Sequence, residues 1–223
     1  MRGENTRTAI ASLGRRLEQE GLLSTTAGNL SARLEPDVIA ITPSNIPYPD
    51  ITAADVVITD LRGNVLDGHR RPSSELPFHT AVHRARPDVG AVVHTHSPYA
   101  TTLATLRRPI PAVHYVIASF AVAEIPVVPY ETYGSDALAA QLERVARTGT
   151  KGVLLANHGA VVFDSSLERA ATLASLLEFL ATVYVRALSI GDPVLLPAEE
   201  IARVIERYKT HGQPRGERGG DAV

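Results

Sequence analysis

From residue 6 to 20, Ile10, Leu13 and Leu17 recur at helical spacing with arginine and glutamate between them, and Gly21 supplies a stop. Residues 24–31 are small, hydroxylated and glycine-containing, which predicts a turn whose backbone N–H groups can approach an anion. Residues 38–41 form a short apolar strand, and the prolines of Thr42-Pro43-Ser44-Asn45-Ile46-Pro47-Tyr48 forbid a helix or a central strand after it. Residues 56–59 and 65–66 flank a turn-rich link and are expected to pair antiparallel. Ser73 or Ser74 then caps a helix to about Arg84, ended by Arg86-Pro87-Asp88. Residues 89–96 are a nearly continuous apolar run ending in His94 and His96, the pattern of a buried strand that delivers side chains at its end.

Pro98 opens a helix to about Leu106, residues 114–122 are apolar with no period that separates helix from strand, and residues 125–128 make a brief strand. Ser135-Asp136 starts a helix to about Arg147. Residues 152–156 are another buried strand, with Asn157-His158-Gly159 at its exit, and the chain returns as a strand at 161–163. The longest helix covers 166–190, where Leu173, Leu176, Leu177, Leu180 and Tyr184 form an apolar face suited to a core or a neighbouring subunit. A last helix covers about 198–208, and residues 213–223, rich in glycine and charge, predict a disordered tail. With no internal repeat and no long linker, residues 1–212 are expected to form one domain.

Composition narrows the partners. The 223 residues are 44% hydrophobic, enough for one sizeable core, and the formal net charge of −2 gives no field to attract nucleic acid or an anionic membrane. No apolar run approaches the roughly 18–20 residues that span a bilayer, and the N-terminus does not resemble a signal sequence, so the protein is expected in the cytoplasm. The chain has no cysteine, which excludes disulfides and thiolate ligands and leaves His, Asp, Glu or water to hold any metal.

The histidines then acquire meaning. On a strand, residues i and i+2 face the same way, so His94 and His96 can reach one ion. His158 ends a second buried strand, and adding Glu75 makes three imidazoles and one carboxylate, a set that suits Zn²⁺ or a similar divalent ion. Glu75, His79 and His83, at i, i+4 and i+8, share one helix face; such a stripe is expected to be solvated surface, with His79 at most supporting a ligand. His69 and His211 fit exposed positions.

Six segments, in order, resemble the class II zinc-dependent aldolases of the sugar-phosphate type, and most of all their L-fuculose-1-phosphate branch. They are Thr26-Ala27-Gly28-Asn29, the Thr42 to Tyr48 run, Pro72-Ser73-Ser74-Glu75, Ala91-Val92-Val93-His94-Thr95-His96, His114-Tyr115 and Asn157-His158-Gly159. The resemblance implies an α/β fold, a single three-layer α/β/α domain with a central, mostly antiparallel mixed sheet. It further implies a homotetramer with active sites at subunit interfaces. By motif position, Glu75, His94, His96 and His158 become zinc ligands, with Mn²⁺ or Co²⁺ possible in its place, and Gly28, Asn29, Ser44, Asn45, Ser73 and Ser74 become a phosphate cradle.

The implied reaction is reversible cleavage of a ketose 1-phosphate into dihydroxyacetone phosphate and a small aldehyde such as L-lactaldehyde, through a zinc-stabilised enediolate and with no Schiff-base lysine. Glu75 would ligate the metal in the empty site and carry a proton once substrate displaces it, and Tyr115 would protonate the aldehyde oxygen across a subunit boundary. Asn45 replaces a family glycine; asparagine tolerates left-handed backbone, so the loop is expected to survive. Tyr133 and His211 replace a phenylalanine and a tyrosine on the aldehyde side. The same scaffold supports other activities: deoxypentulose-phosphate aldolase, methylthioribulose-1-phosphate dehydratase, pentulose-phosphate epimerase, or a non-catalytic zinc or sugar-phosphate-binding protein. The epimerase carries aspartate where this chain has Glu75.

Overall fold

The computed structural model describes residues 1–210. His211 and the predicted tail at 213–223 lie outside the described residues. In chain order the elements are α1 (Glu4–Gln19), β1 (Asn29–Glu35), β2 (Val38–Ile41), β3 (Val57–Asp60), β4 (Val65–Asp67), α2 (Leu76–Ala85), β5 (Ala91–Thr95) and α3 (Pro98–Thr105). There follow β6 (Ile110–Pro111), a 3₁₀ turn (Tyr115–Phe120), β7 (Glu124–Ile125), β8 (Val127–Val128), α4 (Asp136–Ala146), β9 (Gly152–Leu155), β10 (Gly159–Asp164), α5 (Leu167–Leu188) and α6 (Ala198–Thr210).

Eight strands form one sheet in the order β4-β3-β2-β1-β5-β10-β9-β8, antiparallel throughout except for the parallel pair β8 and β9. Its side chains alternate between two apolar layers. On one face Leu30, Ala32, Val93 and Val162 pack with α1, α3 and α5; on the other Val92, Val153, Val161 and Phe163 pack with α2 and α4. This is the expected three-layer fold. Burying a Val or Leu in these layers contributes roughly 1.5–3 kcal/mol per residue. Ser135 and Ser166 cap α4 and α5 by accepting from the N–H of Leu138 and Arg169.

Several expectations are corrected. Residues 29–31, placed in a turn, are the start of β1, which pairs with both β2 and β5 near the middle of the sheet. The sequence hides this strand because Asn29 and Ser31 alternate with Leu30 and Ala32, so the polar positions that suggest a turn are one face of a strand. The N-cap of α2 is Glu75, two residues after Ser73 and one after Ser74, the two proposed caps, and Ser73 Oγ accepts from the Glu75 N–H. The stripe of Glu75, His79 and His83 is buried, because β1 presents hydrogen-bonding partners to it. Residues 114–122 contain a 3₁₀ turn in which the His114 ring accepts from the Val116 N–H. The brief strand at 125–128 is split by Pro126 into β7, which pairs with β6, and β8, which pairs with β9.

Helix α5, with 22 residues, is long and apolar enough to cross a membrane by length and composition alone, although Glu168, Arg169, Glu178 and Arg186 interrupt its apolar run. Its apolar face is accounted for within the fold, where Leu173, Leu177, Leu180 and Tyr184 are buried in the layer shared with β5 and β10.

Candidate active site

The three central strands deliver the site. In register, Asn29 of β1 stands opposite His94 of β5, and His94 stands opposite Val161 of β10. His96 follows the end of β5, while His158 sits in the turn between β9 and β10. That turn depends on Asn157, whose φ of 54° is left-handed, and on Gly159, where a Cβ would meet the Thr95 carbonyl oxygen at 2.3 Å and the His96 ring at 2.9 Å. Glu75 enters from the other side, just before α2.

Two loops make a wall beside these residues. The Ser44 N–H donates to Arg71 O and the Ser73 N–H donates to Thr42 O, each at 3.0 Å, so the Thr42 and Ser73 segments run as a pair. Asn45 has a φ of 57°, the left-handed conformation expected for its replacement of glycine. Gly28, at φ 82°, lies so close to the His94 carbonyl that a Cβ would sit 2.7 Å from it. The Tyr48 hydroxyl donates to Gly28 O at 2.9 Å, and burial pushes this phenol far above its ordinary pKa.

Between these parts lies a cavity of about 280 Å³. All six residues expected to cradle phosphate line it, with Glu75, His96 and His158; His94 is fully buried. Among the described residues its lining contains no lysine or arginine, so an anion there would meet hydroxyls and backbone N–H groups from them. Tyr133 lines the cavity. Tyr115 does not: it is 51% exposed, with its ring stacked on His114. Sequence reasoning missed Tyr130 and Glu131, which line the same cavity. Their signal was their exit from β8: a strand parallel to β9 ends at the same sheet edge as the strand before His158, and ligand groups gather at such edges.

The ligand atoms offered by His94, His96 and His158 lie within 4.8 Å of one another. His96 Nε2 is 2.9 Å from His94 Nε2, Glu75 Oε2 is 3.1 Å from His94 Nε2, and Glu75 Oε1 is 3.4 Å from His158 Nε2. The His94 Nδ1–H donates to the Ala160 carbonyl, which turns the lone pair of Nε2 toward the cluster. Four potential ligand atoms therefore converge, and Glu75 Oε1 is buried without a hydrogen-bond partner. A tetrahedron with arms of roughly 2.0–2.1 Å has edges of about 3.3–3.4 Å, so the spacing and chemistry fit a divalent metal.

Charge agrees with that fit. Burial, reinforced by the neighbouring imidazoles, lowers the pKa of His96 to about 3 and of His158 to about 4, which keeps both neutral and able to ligate at neutral pH. Burial acts to raise the Glu75 pKa, but His94 and the Asn29 hydrogen bond outweigh it, and the carboxyl is held well below the usual carboxylate range. The Asn29 side chain is engaged within the protein: its Nδ2–H donates to Glu75 Oε2 at 2.9 Å and its Oδ1 accepts from His79 Nε2 at 2.6 Å. The cavity therefore pairs an ionised carboxylate with the neutral imidazoles of His96 and His158 beside a wall of small polar loops. That arrangement can polarise a carbonyl and move a proton at a neighbouring carbon.

Comparison with known proteins agrees with this chemistry. Residues 8–185 match the family model described as Class II Aldolase and Adducin N-terminal domain. The chain is 41% identical over 212 residues to 5-deoxy-D-ribulose 1-phosphate aldolase of Bacillus thuringiensis serovar kurstaki, covering 94% of this chain and 98% of that protein. It is 43% identical over 193 residues to L-fuculose phosphate aldolase of Escherichia coli O6:H1, covering 86% and 88%. A solved structure of L-fuculose 1-phosphate aldolase superposes with a TM-score of 0.90 at 38% identity, covering 94% of this chain and 98% of that one. Matches of this extent, over a fold that gathers three histidines and a glutamate at one sheet edge, show that the chain belongs to the class II aldolase family.

Proposed function

We propose that the protein reversibly cleaves a deoxyketose 1-phosphate, L-fuculose 1-phosphate or a 5-deoxypentulose 1-phosphate, into dihydroxyacetone phosphate and a small aldehyde. The observation that carries this reading is the placement of Glu75, ionised and with one bare oxygen, between the imidazoles of His94, His96 and His158 and a cavity wall of serines, glycine and asparagine. A divalent metal held by His94, His96, His158 and Glu75, zinc by preference with Mn²⁺ or Co²⁺ as substitutes, supplies Lewis-acid polarisation of the substrate carbonyl when bound.

The chain's own residues do the rest. Loops at Gly28, Ser44-Asn45 and Ser73-Ser74 hold the phosphate through hydroxyl and N–H donors. Cleavage breaks the C3–C4 bond: the C4 hydroxyl loses its proton, C4 becomes the aldehyde, and the electron pair left on C3 delocalises into the C2 carbonyl. Glu75 then delivers a proton to C3, giving dihydroxyacetone phosphate, and takes it back in the synthetic direction. The two relatives support one substrate class, since fuculose and 5-deoxyribulose differ in chain length and share the deoxyketose 1-phosphate half. Incubation with each sugar phosphate should release dihydroxyacetone phosphate from at least one, measured by its enzymatic reduction. Products of dehydration or epimerisation without dihydroxyacetone phosphate would sink the aldolase assignment for this substrate class. Binding without any turnover would favour a non-catalytic sugar-phosphate-binding role.

In this reading the active oligomer is a homotetramer, and Tyr115, exposed in its own subunit, completes a neighbour's site as the group that exchanges a proton with the aldehyde oxygen. Oligomers assembled from equal amounts of Tyr115→Phe and Glu75→Gln chains should regain about a quarter of parental activity, because about one site in four then carries both intact residues. Hybrids no more active than their parents would remove Tyr115 from the neighbour's site.

A further inference from the structure

Behind Glu75 a line of polar side chains runs away from the cavity through the layer between the sheet and α2. Asn29 bonds Glu75, His79 bonds Asn29, Ser31 Oγ lies 2.7 Å from His79 Nδ1, and His83 Nε2 lies 3.0 Å from the same hydroxyl. Their residues are 5%, 0%, 0% and 1% exposed for Asn29, His79, Ser31 and His83. The fold makes the line possible because Asn29 and Ser31 share one face of β1 while His79 and His83 lie one turn apart on α2. Four polar side chains at core depth cost desolvation that apolar residues of the same size would not.

The hydrogen bonds have a single direction. Glu75 can only accept, so Asn29 must turn its Nδ2–H toward it and its Oδ1 away. Oδ1 then accepts from His79 Nε2–H, which leaves His79 Nδ1 as an acceptor for the Ser31 hydroxyl, and Ser31 Oγ accepts in turn from His83 Nε2–H. Burial holds both histidines neutral, with His83 lowered to about 3 and His79 well below its ordinary value, so each ring carries one proton and the order is self-consistent. A flipped Asn29 amide would set its oxygen against the Glu75 carboxylate and its NH₂ against His79 Nε2.

We propose that His79 is a positioning residue for Glu75: by fixing the Asn29 amide it ties down Oε2 and leaves Oε1 as the oxygen available for proton transfer. Ser31 and His83 serve by fixing the tautomer of His79. The inference rests on the reading of Glu75 as the proton carrier. A core serving packing alone would not need this directionality.

The test measures exchange of solvent deuterium into dihydroxyacetone phosphate alone, a half-reaction that isolates the proton step, in His79→Leu, His79→Gln and Ser31→Ala, with Glu75→Gln in parallel. Bound metal per chain and melting temperature are recorded for each variant. His79→Leu should lose about 10- to 100-fold in kcat with KM and metal content near the parent's. His79→Gln, which keeps an N–H near the Nε2 position, should recover most of that loss, and Ser31→Ala should lose less than His79→Leu in the same direction. Parent-like kcat in His79→Leu would overturn the proposal, as would a change confined to KM or a loss that follows metal content alone. If His79→Leu does not fold, unchanged kcat in Ser31→Ala together with a Gln variant as impaired as Glu75→Gln overturns it. The underlying reading fails separately, through absent exchange in the parent or parent-like exchange in Glu75→Gln.

Discussion

Glu75→Gln is expected to lower kcat for cleavage and for proton exchange by about 100- to 10,000-fold while leaving the fold intact, the range a positioned acid–base group contributes. Glutamine matches glutamate in shape and can still accept the Asn29 Nδ2–H, so the hydrogen-bonded line behind it survives. What it cannot do is carry a proton to and from carbon. A ligand role alone predicts a different outcome: loss of metal affinity that raised metal concentration repairs. Glu75→Asp keeps the chemistry and shortens the reach, and should fall between parent and Gln. Rates are to be measured with saturating metal, and a Glu75→Gln enzyme running at the parental rate would end the proton-carrier assignment.

Stripped of divalent metal, the protein should remain folded near pH 8, lose its activity, and then lose stability steeply as the pH falls from about 6.5 toward 4. The sign follows from the histidines. His96, His158 and His83 have folded pKa values of about 3, 4 and 3, and burial lowers His79 as well, whereas the unfolded chain titrates near the ordinary value of 6.5. In that window the unfolded chain binds more protons than the folded one, so acid favours unfolding. Each such group contributes up to about 1.4 kcal/mol per pH unit until the pH reaches its folded pKa. Bound metal raises the whole curve at high pH and is displaced by protons as the pH falls. Denaturant melts in chelator at pH 8, 7, 6 and 5 read the slope, and His83→Leu should flatten it by one group's share. A flat profile would mean that these histidines titrate normally in the folded protein. Unfolding on chelation at pH 8 would instead mark the metal as structural.

Much of this site could be read from the chain. The apolar run at 89–96 is β5 with His96 just beyond it, and it does end at the metal-competent pair. The left-handed Asn45, the serine caps of α4 and α5 and the buried stripe of α5 also follow from local rules. Local rules failed where a polar residue faces the site instead of solvent. Asn29 and Ser31 suggested a turn and His79 and His83 a wet helix face, yet each pair is the other's buried hydrogen-bonding partner. Tyr130 and Glu131 were missed because β8 is two residues long and is a strand only through its parallel pairing with β9.

The sequence by itself determined the ligand types, the absence of thiolates, the small polar loops and the order of motifs, because these are properties of residue identity and short-range spacing. Only the tertiary structure decided that Glu75, from before α2, meets His94 of β5 and His158 of the turn between β9 and β10, and that Asn29 stands between Glu75 and His79. Those meetings are set by the antiparallel register of β1, β5 and β10 and by the packing of α2 on one face of that sheet. A strand's two-residue period fixes which face a side chain takes, but its neighbours across the sheet depend on a register that no local stretch encodes.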